Sequence, residues 1–392
     1  MSEWKETKLG DVAEITSSKR IFYSEYVENG VPFYRSKEII DLFNRRDIQT
    51  ELYITEKRFK EIEEKFGVPN ADDILLTSVG SLGIPYKVKP KDRFYFKDGN
   101  LTWFRNLDKK KINPDFLFTW LSSNVGKQKL DEVSIGSTQA ALTISGLKTI
   151  EILLPDLKTQ TAIASVLSSL DDKIDLLHRQ NQTLEALAET LFKQWFVEEA
   201  KEEWESMPLS KMANFLNGLA CQKFPPKNEI EKLPVLKIKE LSSGITENSD
   251  WATTDVKPEY IVKNGDVIFA WSASLMVKIW NGQDCILNQH LFKVTSDNFP
   301  KWFYFLWCKH HLAEFISIAA SHATTMGHIK RGDLDEAMVL IPSKHELEKM
   351  TEKVEPLIEK IITNQSQIRT LTALRDTLLP KLMSGEIRVK MG

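Results

Sequence analysis

Val31-Pro32-Phe33-Tyr34-Arg35-Ser36-Lys37-Glu38-Ile39 returns later in the chain as Leu233-Pro234-Val235-Leu236-Lys237-Ile238-Lys239-Glu240-Leu241, with the Pro, both basic positions, the Glu and the apolar pattern kept. Outward from this block the correspondence continues. Asp73-Ile74-Leu75-Leu76 followed by Ser81-Leu82 matches Asp266-Val267-Ile268-Phe269 followed by Ser274-Leu275, and Ile152-Leu153-Leu154-Pro155 matches Val339-Leu340-Ile341-Pro342. A period this long indicates duplicated domains and not a solenoid. Each half begins with short apolar runs bounded by Gly, Asn and Pro, which read as strands, with helical stretches at Phe116 to Leu121 and Trp302 to Trp307.

Directly after Pro155 and Pro342 the pattern becomes a heptad. The first seam puts Leu167, Ile174, Asn181, Ala188 and Trp195 at a, and Ile163, Leu170, Leu177, Leu184 and Leu191 at d. Its counterpart puts Leu347, Val354, Ile361, Ile368, Arg375 and Leu382 at a, and Met350, Leu357, Asn364, Leu371 and Leu378 at d. Two equal seams separated by a domain that can return the chain to its start pack most simply antiparallel. The expected fold is α+β: two duplicated α/β domains (1–155 and 204–342) and two long helices (156–203 and 343–392) forming an antiparallel coiled coil. Pro356 and Pro380 predict kinks in the second helix or a later start.

In that pairing Asn181 faces Asn364 if facing residue numbers sum to 545, which also brings together Leu167 and Leu378, Ile174 and Leu371, Leu184 and Ile361, and Leu191 and Val354. The asparagines are then register residues. The alternative is that each faces solvent or a partner at a frayed layer.

Charge sharpens the picture. The 392-residue chain has a formal net charge of -3, yet residues 156–205 alone carry five Lys/Arg against eleven Asp/Glu. The two globular halves are near neutral and free to sort bases onto one face. Candidate clusters are Lys87, Lys89, Lys91 and Arg93, then Lys109-Lys110-Lys111, and Lys330-Arg331. Cys221, Cys285 and Cys308 are widely spaced, which argues against a zinc site or disulfide framework. His310-His311, His322 and His328 lack an acid at helical ligand spacing, so no metal is expected. The N-terminus has no apolar h-region and no apolar run suits a membrane span, so a cytoplasmic location without membrane contact is expected.

Catalytic signatures are missing. Asn113-Pro114-Asp115-Phe116 is the nearest approach to a base-binding methyltransferase loop, but Asp115 stands where a second Pro is needed, and it reads as a helix start. There is no phosphate-cradling G-x-x-x-x-G-K-[ST] run, and scattered Asp-x-Lys tripeptides are not a nuclease site.

Gly136-Ser137-Thr138-Gln139 with Leu142 and Leu147, then Ile152 to Pro155, Gln160, Ile163, Leu167, Leu170, Asp171 and Ile174 resemble the specificity subunits of type I restriction-modification enzymes. The resemblance covers essentially the whole chain. Departures are Ala323-Thr324-Thr325-Met326 in place of the Gly-Ser-Thr-Gln turn, Ser343-Lys344 before the second helix, and Thr159-Gln160 in place of a Glu-Gln pair. It implies a non-catalytic, double-stranded-DNA-binding subunit whose domains each read half of a split target. The helices would set the unread spacer and dock two methyltransferase subunits, joined by restriction subunits. No cofactor would reside in this chain; S-adenosylmethionine, ATP and magnesium would belong to the partners. A stand-alone DNA-binding regulator of the same fold is the alternative. The DNA-facing residues expected are Ser137, Thr138 and Gln139, with Thr324 and Thr325 as counterparts; Ser78 and Ser81, with Trp271 and Ser274; and Arg35, Lys37, Lys237 and Lys239.

Overall fold

A computed structural model describes residues 4–44, 46, 48, 50–136, 140–321 and 327–390. The chain divides into two units, residues 1–175 with 371–392, and residues 176–370. Each contains one globular domain and portions of both long helices.

The first unit opens with Lys5–Lys8 paired antiparallel to Glu151–Leu154, the strand that leads into the first long helix. Behind it lies a four-stranded antiparallel sheet in the order Glu14–Thr16, Leu101–Arg105, Ile74–Thr77, Pro85–Lys87. The central strand Ile74–Thr77 is buried at every position, which is why it reads as a continuous apolar run and not as an alternation. A second small sheet contains Val31–Tyr34, which runs parallel to Tyr95–Phe96.

The second unit repeats the plan. Glu205–Pro208 pairs with Met338–Ile341, and the four-stranded sheet runs Asn214–Asn217, Leu291–Thr295, Val267–Ala270, Met276–Ile279. The second small sheet again holds one parallel pair, Lys232–Leu236 with Cys285–Leu287. Ladder register equates Thr77 with Ala270 and Leu101 with Leu291, so the duplication seen in sequence is a duplication of hydrogen-bonded frame.

The first long helix runs Leu157–Lys193 and continues as a π-helical turn over Gln194–Glu198. It starts where it does because Asp156 caps it: Thr159 N donates to Asp156 Oδ1 at 2.9 Å. Gln160, fully buried, then ties this end to the domain, its Nε2 donating to the carbonyls of Lys111 and Pro155 and its Oε1 accepting from Asn113 N. Asn113 in turn caps Pro114–Ser122, with Pro at the first helical turn as its sequence suggests. The second long helix, Lys344–Met383, begins at a Ser343–Glu346 capping box. It runs without a break through Pro356 and Pro380 and starts at Lys344, so the later start is not seen. Both prolines are exposed, so the carbonyls they leave free can be hydrated.

The two helices are antiparallel. In the second unit Asn364 Nδ2 lies 2.8 Å from Asn181 Oδ1 and 2.9 Å from Gln180 Oε1, and both asparagines are buried. Leu184, Leu191, Val354 and Ile361 surround this layer in one apolar cluster, together with Ala188, Phe192 and Phe196. In the first unit Leu167 and Leu378 share a cluster, and Arg375, at an a position of the heptad, donates to Asp171 Oδ1 at 2.9 Å. The Asp171 partner keeps a charged group tolerable at the edge of the seam.

At the start of the second helix, the Lys201 ammonium, then the Ser343 hydroxyl, hold the Glu346 carboxyl down at about 2 from an ordinary 4.5. A depressed folded-state value stabilises above the unfolded value and is lost as pH falls towards about 2. Glu346→Gln should therefore flatten the dependence of the unfolding midpoint on pH in that acid window while leaving the rest of the profile in place. Denaturation followed by circular dichroism would show this; an unchanged acid limb would remove Glu346 from the account.

Substituting Asn181 by Leu alone leaves the buried Asn364 amide only Gln180 as a partner and should destabilise the chain by about 1 kcal/mol. Replacing both by Leu should restore or exceed the original denaturation midpoint, because a matched apolar pair needs no hydrogen bond. A double variant weaker than either single one would contradict the layer's role.

Candidate nucleic-acid interface

In each unit the loop after the central strand is held by the same backbone bonds. Ser78 N donates to Asn100 O at 2.8 Å, Leu142 N donates to Ser78 O at 2.9 Å, and Val79 bridges Ala141. At the equivalent places Trp271 N meets His290 O at 3.4 Å, Ile329 N donates to Trp271 O at 3.1 Å, and Ser272 bridges His328. The loop therefore sits against the chain that follows the Gly136-Ser137-Thr138-Gln139 and Ala323-Thr324-Thr325-Met326 segments, two regions that sequence treats separately. Ser137, Thr138, Gln139, Thr324 and Thr325 themselves lie outside the described residues. Gly80 has φ 81° and its counterpart Ala273 has φ 57°, so both loops turn through the left-handed region at one matched position.

Other expected residues divide sharply. Ser81 and Ser274 are exposed at their loops. Ser78 is not: it is 2% exposed, its hydroxyl 2.6 Å from Thr102 Oγ1 and 3.1 Å from Leu76 O. A small hydroxyl following a buried strand can be absorbed by the core, and this one is. Trp271 at the same position is half-buried, stacked on Phe292, with its indole N–H donated to Asn217 Oδ1 at 3.2 Å.

Arg35, expected to face DNA, is half-buried and already paired. Its backbone N–H and guanidinium both donate to Glu38, which is 1% exposed. Burial pushes the Glu38 carboxyl up, and the Arg35 hydrogen bonds outweigh it, leaving it below the ordinary value. Lys237 pairs with Asp250. Lys37 and Lys239 are exposed and have no ion pair among the described residues. Ser36, next to Lys37, reaches the same Asn100 carbonyl that accepts from Ser78, so Lys37 stands beside the loop.

The basic clusters are partly compensated. Lys87 faces Asp115, Arg93 faces Glu56, Lys109 faces Asp72 and Lys111 faces Asp108. Cys221, Cys285 and Cys308 are buried and unbonded to one another, and burial pushes the Cys285 and Cys308 thiols up so that they stay protonated. His310 and His311 pack on Trp307, and His311 Nε2 lies 3.0 Å from Met338 O.

The second unit carries a cleft of about 850 Å³. Lys237, Lys239 and Asp250 line one part of it, Trp251 another, and Asn288, Gln289 and His290 also contribute. Sequence reasoning missed Asn288-Gln289-His290. The backbone of this tripeptide is pinned by Asn288 N to Leu236 O, Gln289 N to Leu219 O and Leu291 N to Asn288 O. Gly218 permits the approach, since a Cβ there would lie 2.3 Å from Asn288 O.

The two units are thus built on one frame and surfaced with different polar side chains. A family model described as the type I restriction modification DNA specificity domain matches residues 1–186 and again 201–373. The chain belongs to this family, the specificity subunits of type I restriction-modification systems. It is 29% identical to the type I restriction enzyme MjaIX specificity subunit of Methanocaldococcus jannaschii, over 99% of this chain and 94% of that one. Identity to the HindI specificity subunit of Haemophilus influenzae is 22%, over 99% of this chain and 100% of its relative. The crystal structure of a type I system S subunit from M. genitalium shares the fold, with a TM-score of 0.63 at 14% identity over 100% of this chain and 97% of that one. No helix among the described residues is long and apolar enough to cross a membrane.

If Lys37 and Lys239 contact phosphates, replacing both by Ala should make the logarithmic salt dependence of DNA affinity shallower by about 2, roughly 0.9 for each contact. Lys237→Ala, whose charge is already matched, should change the slope less. Fluorescence titrations at several salt concentrations provide the check; an unaltered slope in the double variant excludes both lysines.

Proposed function

We propose that this chain is the DNA-reading, non-catalytic subunit of its system, each unit recognising one half of a bipartite double-stranded target. The observation that carries the reading is the paired frame: matched loops in both units, anchored by the same backbone bonds, present Ser81 in one and Trp271 and Ser274 in the other. One scaffold with two surfaces suits one protein reading two dissimilar half-sites. Ser137, Thr138 and Gln139, with Thr324 and Thr325, would contribute phosphate contacts that position the duplex without specifying it.

The helix pair sets how many base pairs stay unread between the halves, and the Asn181–Asn364 layer supports this role. An apolar seam alone tolerates slippage by a heptad, whereas the hydrogen bond from Asn364 to Asn181 forms in one register. Two methyltransferase subunits dock on this subunit and restriction subunits join them. S-adenosylmethionine, ATP and magnesium belong to those partners, which supply the chemistry.

Methylome sequencing of cells with and without the gene tests the proposal. Adenine methylation at one split motif should vanish when the gene is deleted and return when it is restored. An unchanged methylome in a strain whose partner methyltransferase is expressed would reject the assignment.

A further inference from the structure

The tripeptide Asn288-Gln289-His290 occupies, strand for strand, the place of Asp98-Gly99-Asn100 in the first unit. The frame is common but the chemistry differs. In the first unit Asp98 is engaged by Arg20 at 2.8 Å and Gly99 presents no side chain. In the second an amide and an imidazole stand beside one another in a cleft with a lysine-bearing side.

Their hydrogen bonds orient them. Gln289 Nε2 lies 3.4 Å from His290 Nε2, and His290 Nδ1 lies 3.1 Å from the hydroxyl of Ser272. An amide nitrogen only donates, so in the uncharged ring Nε2 accepts and Nδ1–H is donated to Ser272. Ser272 is 5% exposed and fixed in its bridge to His328, and it holds the imidazole plane. Among the described residues Gln289 Oε1 has no partner. That leaves an acceptor and an N–H of one amide available side by side, the pattern that pairs with the N6–H and N7 edge of adenine, on a backbone pinned at three points.

We propose that Gln289 and His290 are specificity-determining residues of the second unit, reading base edges of duplex DNA in this cleft, with Ser272 as the positioning residue for His290. The inference rests on the DNA-reading function proposed above. It goes further in assigning one half-site to this tripeptide, and in requiring the other half-site to differ because Gly99 and Asn100 stand at the matched places.

Two variants test it in the assembled methyltransferase complex. Gln289→Ala removes the free amide edge, and His290→Asn installs the residue that the other unit carries on the same frame. Methylome sequencing should show one half of the split motif unchanged and one or two positions of the other half degenerate or altered. Titrations with the wild-type motif and with duplexes changed at each base pair should show discrimination at those positions falling by about fivefold to 150-fold, with affinity for unrelated DNA unchanged. A motif kept at full stringency in both variants overturns the assignment, as does an equal loss of affinity for every duplex, which marks a phosphate contact or a misfolded cleft. Absence of any split motif with the wild-type chain would reject the proposed function instead, so the two failures are distinguishable.

Discussion

A buried amide inside an apolar helix seam must find a hydrogen-bond partner or lose the free energy of its solvation, and in this chain the partner is another buried amide. Asn364 sits at 0% exposure and donates to Asn181 Oδ1 and Gln180 Oε1. Leucine layers on either side would pack nearly as well one heptad away. The amide layer would not, because each asparagine would face an apolar residue and lose the other as its partner. Register in the second unit therefore hangs on a few polar atoms, while the strength of the pairing comes from the surrounding apolar side chains.

Each end of the seam is also built into a globular core. Ile163, Ala164 and Leu167 join the core of the first unit, and Ala188, Phe192 and Phe196 join that of the second. The start of the first helix is fastened by Gln160, whose amide makes three hydrogen bonds in full burial, so it holds a turn and a strand end as much as a helix. In the second copy Leu347 stands at the matched position, and the helix start is held instead by Glu346, which Ser343, Lys201 and Trp204 all approach. The same junction is tied to its domain once by a buried neutral amide and once by a charged carboxylate.

The division of labour on the reading surface follows from burial. Where a side chain of the repeated frame can be paid off internally, as Ser78 is by Thr102 and Arg35 is by Glu38, it becomes structure. What remains open to a ligand is the exposed lysines of the matched blocks, Lys37 and Lys239, and, outside those blocks, Gln289 and His290. Duplication conserved the backbone bonds while the side chains at the Gly99-Asn100 and Gln289-His290 places diverged.

Much of this architecture was legible without coordinates. The repeated blocks, the switch to a heptad after Pro155 and Pro342, and the placement of Asn181 and Asn364 in the seam are periodic or local properties, and periodicity reports directly which face of an element is buried. The prolines of the second helix did not set where it starts, because a sequence does not say whether a ring faces solvent. Site chemistry was legible only in part. That Ser78 is buried while Ser81 is exposed depends on Thr102, a residue of another strand, and that Arg35 is spent on Glu38 depends on how deeply the helix start sinks into the core. Asn288-Gln289-His290 carried no signal at all, since nothing in a run of polar residues before a strand indicates a cleft. Its meaning comes from Gly218, Leu219 and Leu236, brought against it by sheet pairing across large separations in the chain, and long-range pairing is what only the tertiary structure decides.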